Sequence, residues 1–142
     1  MIVIDTNVIS EVMRPDPDAR VMAWLRSQQI GDLATTSVTV AEIRYALARL
    51  SQSRRRAERE AKFEAFLARG FYGRVYSFDV EAADVYGEII AARDRAGRPL
   101  EGFDGLIAAI ALVRGHAIAT RDVTDFQGCG VSVINPWDGV AP

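Results

Sequence analysis

The chain has 142 residues, enough for one domain with one core, and its 17 basic and 19 acidic residues leave a formal net charge of −2. That balance gives no global attraction to nucleic acid. The single cysteine, Cys129, rules out an intrachain disulfide and a cysteine-based zinc cluster.

The longest apolar run, Leu106 to Val113, falls far short of the roughly 20 residues a membrane span needs. No basic stretch precedes the first apolar residues, so they do not read as a signal peptide. A reducing, cytoplasmic setting is the simplest expectation for so few cysteines. All the basic residues but Lys62 are Arg, a side chain suited to bidentate contact with phosphate, although genome composition explains the same bias.

In chain order, Ile2 to Ile4 read as a short buried strand. Asn7 to Met13 form a short helix stopped by Arg14-Pro15. Asp16-Pro17 reads as an N-cap followed by Pro at the first helical position, opening a helix to about Gln29 that buries Val21, Leu25 and Trp24. Leu33 to Thr35 form a second strand. Thr36-Ser37 starts a helix to about Leu50, with Val40, Ile43, Leu47 and Leu50 on one side. A further helix covers about Ala57 to Arg69 and ends at Gly70. Arg54-Arg55-Arg56 and Arg59, alternating with Glu58 and Glu60, read as a solvated face. Arg74 to Phe78 alternate as a third strand. Asp79 caps a helix to about Ala96 that buries Val85, Ile89 and Ile90. Gly97 to Phe103 form a loop, Asp104 opens a helix through Arg114, and Ala117–Ala119 and Val131–Ile134 are the last two strands. No linker or repeat interrupts this order, so residues 1–142 read as one α/β domain. Its expected core is a parallel sheet of about five short strands with helices on both faces.

Four carboxylates stand out. Asp5 directly follows the first strand, and open α/β sheets place their ligands at the strands' carboxyl ends. It is also a good N-cap for the next helix. Glu42 completes Thr39-Val40-Ala41-Glu42, which matches a capping box as well as it suits a ligand. Asp104 opens a helix that is apolar all round and therefore buried. The helix dipole would favour it there, and so would a metal. Asp122 follows the fourth strand through Thr120-Arg121, where a turn Asp is the plainer reading. Asp125, close by, is a candidate fifth acid, although Asp125-Phe126 reads more as a loop-fixing element. Taken together, these four acids fall on one edge of a parallel sheet, where they would repel one another unless divalent cations neutralised them. All-oxygen ligands favour Mg²⁺ or Mn²⁺ over zinc, and such a site supports hydrolysis of a phosphodiester.

Other chemistries lack their parts. His116, the only histidine, precedes a strand and reads as a turn residue. Cys129 sits between glycines and reads as structural. No Walker-type phosphate loop is present. An aspartyl-phosphate mechanism would use a strand-end Asp. Haloacid-dehalogenase-like phosphatases, however, want a second Asp where this chain has Asn7, and receiver domains want a late Lys that Lys62 does not supply.

At this point the chain resembles PIN-domain ribonucleases, specifically VapC toxins of toxin–antitoxin pairs. The matching segments are Met1–Ser10, Ser37–Ile43, Asp104–Ala111 and Thr120–Phe126. Their four acids are spaced 37, 62 and 18 residues apart along nearly the whole chain. The resemblance implies a PIN-like parallel sheet and one or two Mg²⁺ or Mn²⁺ ions held by Asp5, Glu42, Asp104 and Asp122. It also implies Thr120 as a supporting residue. It further implies hydrolysis of RNA, with tRNA a common target, a homodimer, and a VapB-like antitoxin that neutralises the toxin and brings it to DNA. Relatives often carry Asn where this chain has Asp122.

The mechanism expected on this reading is in-line hydrolysis leaving 5′-phosphate and 3′-hydroxyl ends. Arg93, Arg95 and Arg98 are candidates to grip substrate from the rim. The rival reading is a catalytically silent PIN module that serves as an interaction or operator-binding partner of its antitoxin.

Overall fold

A computed structural model describes residues 1–100 and 102–140. Glu101, within the expected Gly97–Phe103 loop, and the last two residues of the 1–142 span lie outside the described residues. Five short strands form one all-parallel sheet: β1 (Ile2–Ile4), β2 (Leu33–Thr36), β3 (Val75–Tyr76), β4 (Ala117–Ala119) and β5 (Val133–Ile134), in the order β3-β2-β1-β4-β5. Parallel strands need long crossovers, and among the described residues six α-helices fill those from β1 to β4: α1 (Thr6–Val12), α2 (Ala19–Ser27), α3 (Ser37–Ala48), α4 (Arg54–Ala65), α5 (Val80–Arg95) and α6 (Asp104–Arg114).

The expected α/β architecture is therefore present, with helices on both faces. Alternation along the central strands sends Val3 and Ile118 into one core with Ile89 of α5 and Ile107 and Ile110 of α6. Ile4 and Ala119 point the other way. They pack with Val8 and Ile9 of α1, Val21 and Trp24 of α2, Ile43 and Leu47 of α3, and Phe63 of α4. Among the described residues no helix is long and apolar enough to cross a membrane.

Several boundaries differ from expectation. Asp18 rather than Asp16 caps the second helix, accepting from the Arg20 N–H at 2.8 Å. The cause lies upstream: buried Glu11 accepts the Asp18 N–H at 2.8 Å, which fixes the chain just before the helix. Leu25, expected in the core, is only half-buried, as are Val85 and Ile90. The fourth helix starts three residues early because Ser53 caps it, accepting from the Arg56 N–H. It then closes in a π-helical turn, Phe66–Gly70. The third strand shrinks to Val75–Tyr76. The Arg74 guanidinium is occupied instead in donating to the carbonyls of Leu33, Ile30 and Gly70 at 2.7, 3.1 and 2.6 Å. The fifth strand likewise shortens to Val133–Ile134.

Candidate active site

The order β3-β2-β1-β4-β5 reverses direction between β1 and β4, the place where open parallel sheets leave a crevice at their carboxyl ends. Register places Ile4 beside Ala119, so Asp5 and Thr120 leave the sheet side by side. The Asp5 N–H donates to the Ala119 carbonyl at 3.0 Å, one ladder bond beyond the strand. Thr120, fully buried, donates its hydroxyl to Asp5 Oδ2 at 2.8 Å. The Thr6 N–H donates to Asp5 Oδ1 at 2.8 Å, so Asp5 also caps α1. Asp5 therefore keeps both the strand-end position and the helix cap read from the sequence.

Glu42 reaches the same edge from the second turn of α3. Thr36, not Thr39, is the N-cap of that helix: the Thr39 N–H donates to Thr36 Oγ1 at 3.0 Å. The capping-box alternative for Glu42 therefore fails, and its Oε1 instead accepts from the Thr6 hydroxyl at 2.9 Å. Asp104 opens α6 as expected and is half-buried. Asp122 stands exposed two residues beyond Thr120, and its backbone N–H donates to Thr120 Oγ1 at 3.0 Å.

Asp5, Glu42, Asp104 and Asp122 all line one cleft of about 610 Å³. Their shared field is visible in their acidities. Burial pushes the Asp5 carboxyl from 3.8 up to about 6, and Glu42 and Asp122 add repulsion against the opposing hydrogen bonds from Thr120 and Thr6. Asp5 is only 4% exposed. Burial likewise raises Asp104 to about 7, with Asp5, Asp125, Glu42 and Asp122 all pushing in the same direction. Two carboxyls that resist ionisation at one sheet edge mark a place where positive charge is wanted. Among the described residues, though, no three acidic, histidine or cysteine side chains are gathered closely enough to form a finished cation cage. The hydroxyls of Thr6 and Thr120 and the Asn7 amide occupy carboxylate oxygens instead.

Sequence reading gave Asn7, Arg14 and Arg121 of this cleft no part in a site, and took Arg59 for part of a solvated face. Asn7 is the hub on one side. Its amide nitrogen donates to Thr120 Oγ1 at 3.0 Å and to Asp122 Oδ2 at 3.1 Å, while its oxygen accepts the Arg121 N–H at 3.2 Å. Its place in the first turn of the helix after a strand-end Asp was the available signal. Asp125 is half-buried in the turn Val123–Phe126 and close enough to Asp104 to help push its carboxyl up. Arg14, Arg59 and Arg121 line the cleft. Arg93, expected on the rim, is 5% exposed and donates to the carbonyls of Thr124 and Gln127, while Arg95 and Arg98 are exposed. His116 packs against Tyr76 with ring centres 5.5 Å apart, and Cys129 is buried in the α5–α6 core, where desolvation pushes its thiol up.

A five-stranded parallel sheet with an acidic crevice at its switch point is the architecture of a PIN domain, and the PIN domain family model matches residues 2–127. The chain is 39% identical over 138 residues to VapC ribonuclease Y4jK of Sinorhizobium fredii, covering 97% of this chain and 99% of that protein. It is 32% identical over 138 residues to the tRNA(fMet)-specific endonuclease VapC of Shigella flexneri, covering 94% and 96%. Among solved structures, FitAB bound to the IR36 DNA fragment superposes with a TM-score of 0.90 at 38% identity, covering 96% of each chain. The chain belongs to the PIN-domain family, in its VapC toxin branch.

Proposed function

We propose that this chain is an endoribonuclease toxin that depends on Mg²⁺ or Mn²⁺, cuts tRNA or another structured RNA, and is silenced by a VapB-like antitoxin. The observation that carries the reading is the meeting of Asp5, Glu42, Asp104 and Asp122 in one cleft at the sheet's switch point. The donor set fits a hard divalent cation, because every candidate ligand is a carboxylate oxygen and neither histidine nor cysteine lines the cleft. Bound there, the cation would supply Lewis acidity and neutralise the acids.

The chain's own residues do the rest. Thr120 and the Thr6 N–H hold both oxygens of Asp5 in place, and Thr6 orients Glu42. Asn7 fixes Asp122 against Thr120. Arg14, Arg59 and Arg121 give the acidic cleft a rim that can receive phosphate. In-line hydrolysis in this setting leaves 5′-phosphate and 3′-hydroxyl ends. The likeness to a tRNA(fMet)-specific endonuclease supports tRNA as the target class. The likeness to the DNA-bound FitAB complex supports a partner that brings the toxin to DNA, since the net charge of −2 offers DNA little on its own. A homodimer in the cytoplasm completes the proposal. A silent interaction module would have no use for four acids kept together at a cost in repulsion.

The test is induced expression in a bacterium lacking any partner, with wild type beside Asp104→Asn, scored by growth and by mapping new RNA 5′ ends. Arrest with discrete 5′-phosphate cuts in the wild type alone is the expected result. Equal growth and identical RNA ends, with both proteins folded and abundant, would overturn the ribonuclease reading.

A further inference from the structure

Beside the acidic cleft lies a second cavity of about 230 Å³ between the end of α1, α3 and α4. Most of its wall is apolar, built from Met13, Ile43, Leu47, Leu50 and the exposed Ala46, and Ser10 and Arg59 complete it. Ser10 and Arg59 line both, so the two cavities are direct neighbours. Arg59 is the informative residue. In the same helix, Arg54 is paired with Glu58 at 3.2 Å and Arg56 with Glu60 at 2.7 Å. Arg59 takes no ion pair among the described residues and is half-buried at the boundary between acids and apolar wall.

We infer that this cavity is a nucleobase subsite, which takes one unstacked base of a single-stranded RNA while Arg59 holds the phosphate joining that base to the cut. The inference rests on the ribonuclease reading and adds to it the place where sequence is read. Charge complementarity selects this occupant. An apolar slot alone would suit many groups, but an unpaired guanidinium at its mouth calls for an anion attached to a flat apolar body, which a nucleotide is. Single-stranded RNA is recognised by splaying bases onto apolar or guanidinium surfaces. A base seated here leaves its backbone in the neighbouring cleft, beside Asp5 and Glu42. Ser10, at the shared rim, offers a hydroxyl for the base edge or the ribose.

The experiment measures binding with the full-length Asp104→Asn protein, so that no substrate is consumed. A short single-stranded RNA is compared with the same strand carrying one abasic nucleotide at each position in turn. One position should weaken binding about tenfold when its base is removed, within the range of a single base contact. Ala46→Phe fills the cavity from an exposed position, and it should erase that dependence. Arg59→Ala should weaken every strand and flatten the salt dependence. Leu50→Trp serves as a second filling variant should Ala46→Phe fail to fold. An abasic effect that survives filling, or no sensitive position at all, would overturn the subsite. Cleavage by the wild-type protein is measured in parallel. Its failure would sink the ribonuclease reading while leaving the binding result to judge the cavity.

Discussion

Thr120 donates its hydroxyl to Asp5 Oδ2 at 2.8 Å, joining the ends of two neighbouring strands across the sheet's switch point. Thr120 Oγ1 in turn accepts from the Asn7 amide and the Asp122 N–H, both at 3.0 Å. Thr120→Val keeps the shape and removes all three contacts. It should cost about 1–3 kcal/mol, the penalty for stranding buried polar groups, and push the Asp5 carboxyl further upward. Cleavage should fall sharply, and Thr120→Ser should recover most of it. Thermal denaturation and cleavage rates of the two variants decide the point. A fully active, fully stable Thr120→Val would show that the hydroxyl is incidental.

The raised pKa values of Asp5 and Asp104, about 6 and about 7, have a definite consequence for the metal-free protein. A carboxyl whose folded value lies above its unfolded value binds protons better in the folded state. Stability contributed by these groups is therefore complete below 3.8 and is lost as pH rises through about 7. Asp18, held down to about 2 by Arg20, acts only below that window. With chelator present, melting temperature should drop steadily from pH 4 to pH 8. Mn²⁺ should restore more of it at pH 8 than at pH 5, because a cation replaces the lost protons. A melting temperature independent of pH across this range would contradict the crowding of the acids.

Arg93 is a buried cation held by backbone carbonyls. It donates to Thr124 and Gln127, its Nε has no partner among the described residues, and the segment it grips contains Asp125 and follows Asp122. Two effects compete. Hydrogen bonds from a charged donor are worth about 1.5–3 kcal/mol, whereas apolar replacement of a buried charge is sometimes neutral. Two such bonds from a guanidinium that is already buried favour the first. Arg93→Met should destabilise the protein by about 2 kcal/mol and slow cleavage, while Arg98→Ala should do neither. Urea denaturation checks it, and a neutral or stabilising Arg93→Met would mean that desolvation outweighs the clamp.

Much of this arrangement is legible in the sequence, for identifiable reasons. The strand ending in Asp5 stands out because a β-branched run is apolar enough to be buried, and a carboxylate can follow it only where the chain leaves the sheet. The helix after Asp104 is equally plain, being apolar all round. Asp79 caps its helix as expected, accepting the Ala82 N–H at 2.9 Å. What stays hidden is the meaning of polar residues whose partners are remote in sequence. Asn7 looks like an ordinary helix-start residue until Thr120 and Asp122, more than 110 residues away, are brought to it. The Arg54–Arg59 cluster looks uniformly solvated because charge alternation dominates it. Yet Arg59 is one turn before buried Phe63, on the inward stripe of its helix. Arg93 is misplaced on the rim by a local reading because nothing nearby in sequence shows that the turn after Asp122 packs over it.

Gly105 follows Asp104 directly, and side chains of α5 pack closely against it. A Cβ added there would stand 2.7 Å from Ile90 Cδ1 and 3.1 Å from Tyr86 Cε2. The isoleucine methyl can swing aside, but the tyrosine ring is less free, so the first turn of α6 must shift. The strain should cost about 1 kcal/mol, and the better helix propensity of Ala returns up to about 1 kcal/mol. Net stability should therefore barely change, whereas the shift carries Asp104 with it. Gly105→Ala should lower kcat by about tenfold, since small misplacements at a reacting centre are costly. RNA affinity should be retained, because no cavity or rim arginine is touched. Measuring kcat, KM and melting temperature separates the two effects. An unchanged kcat would mean that this contact does not set the position of Asp104.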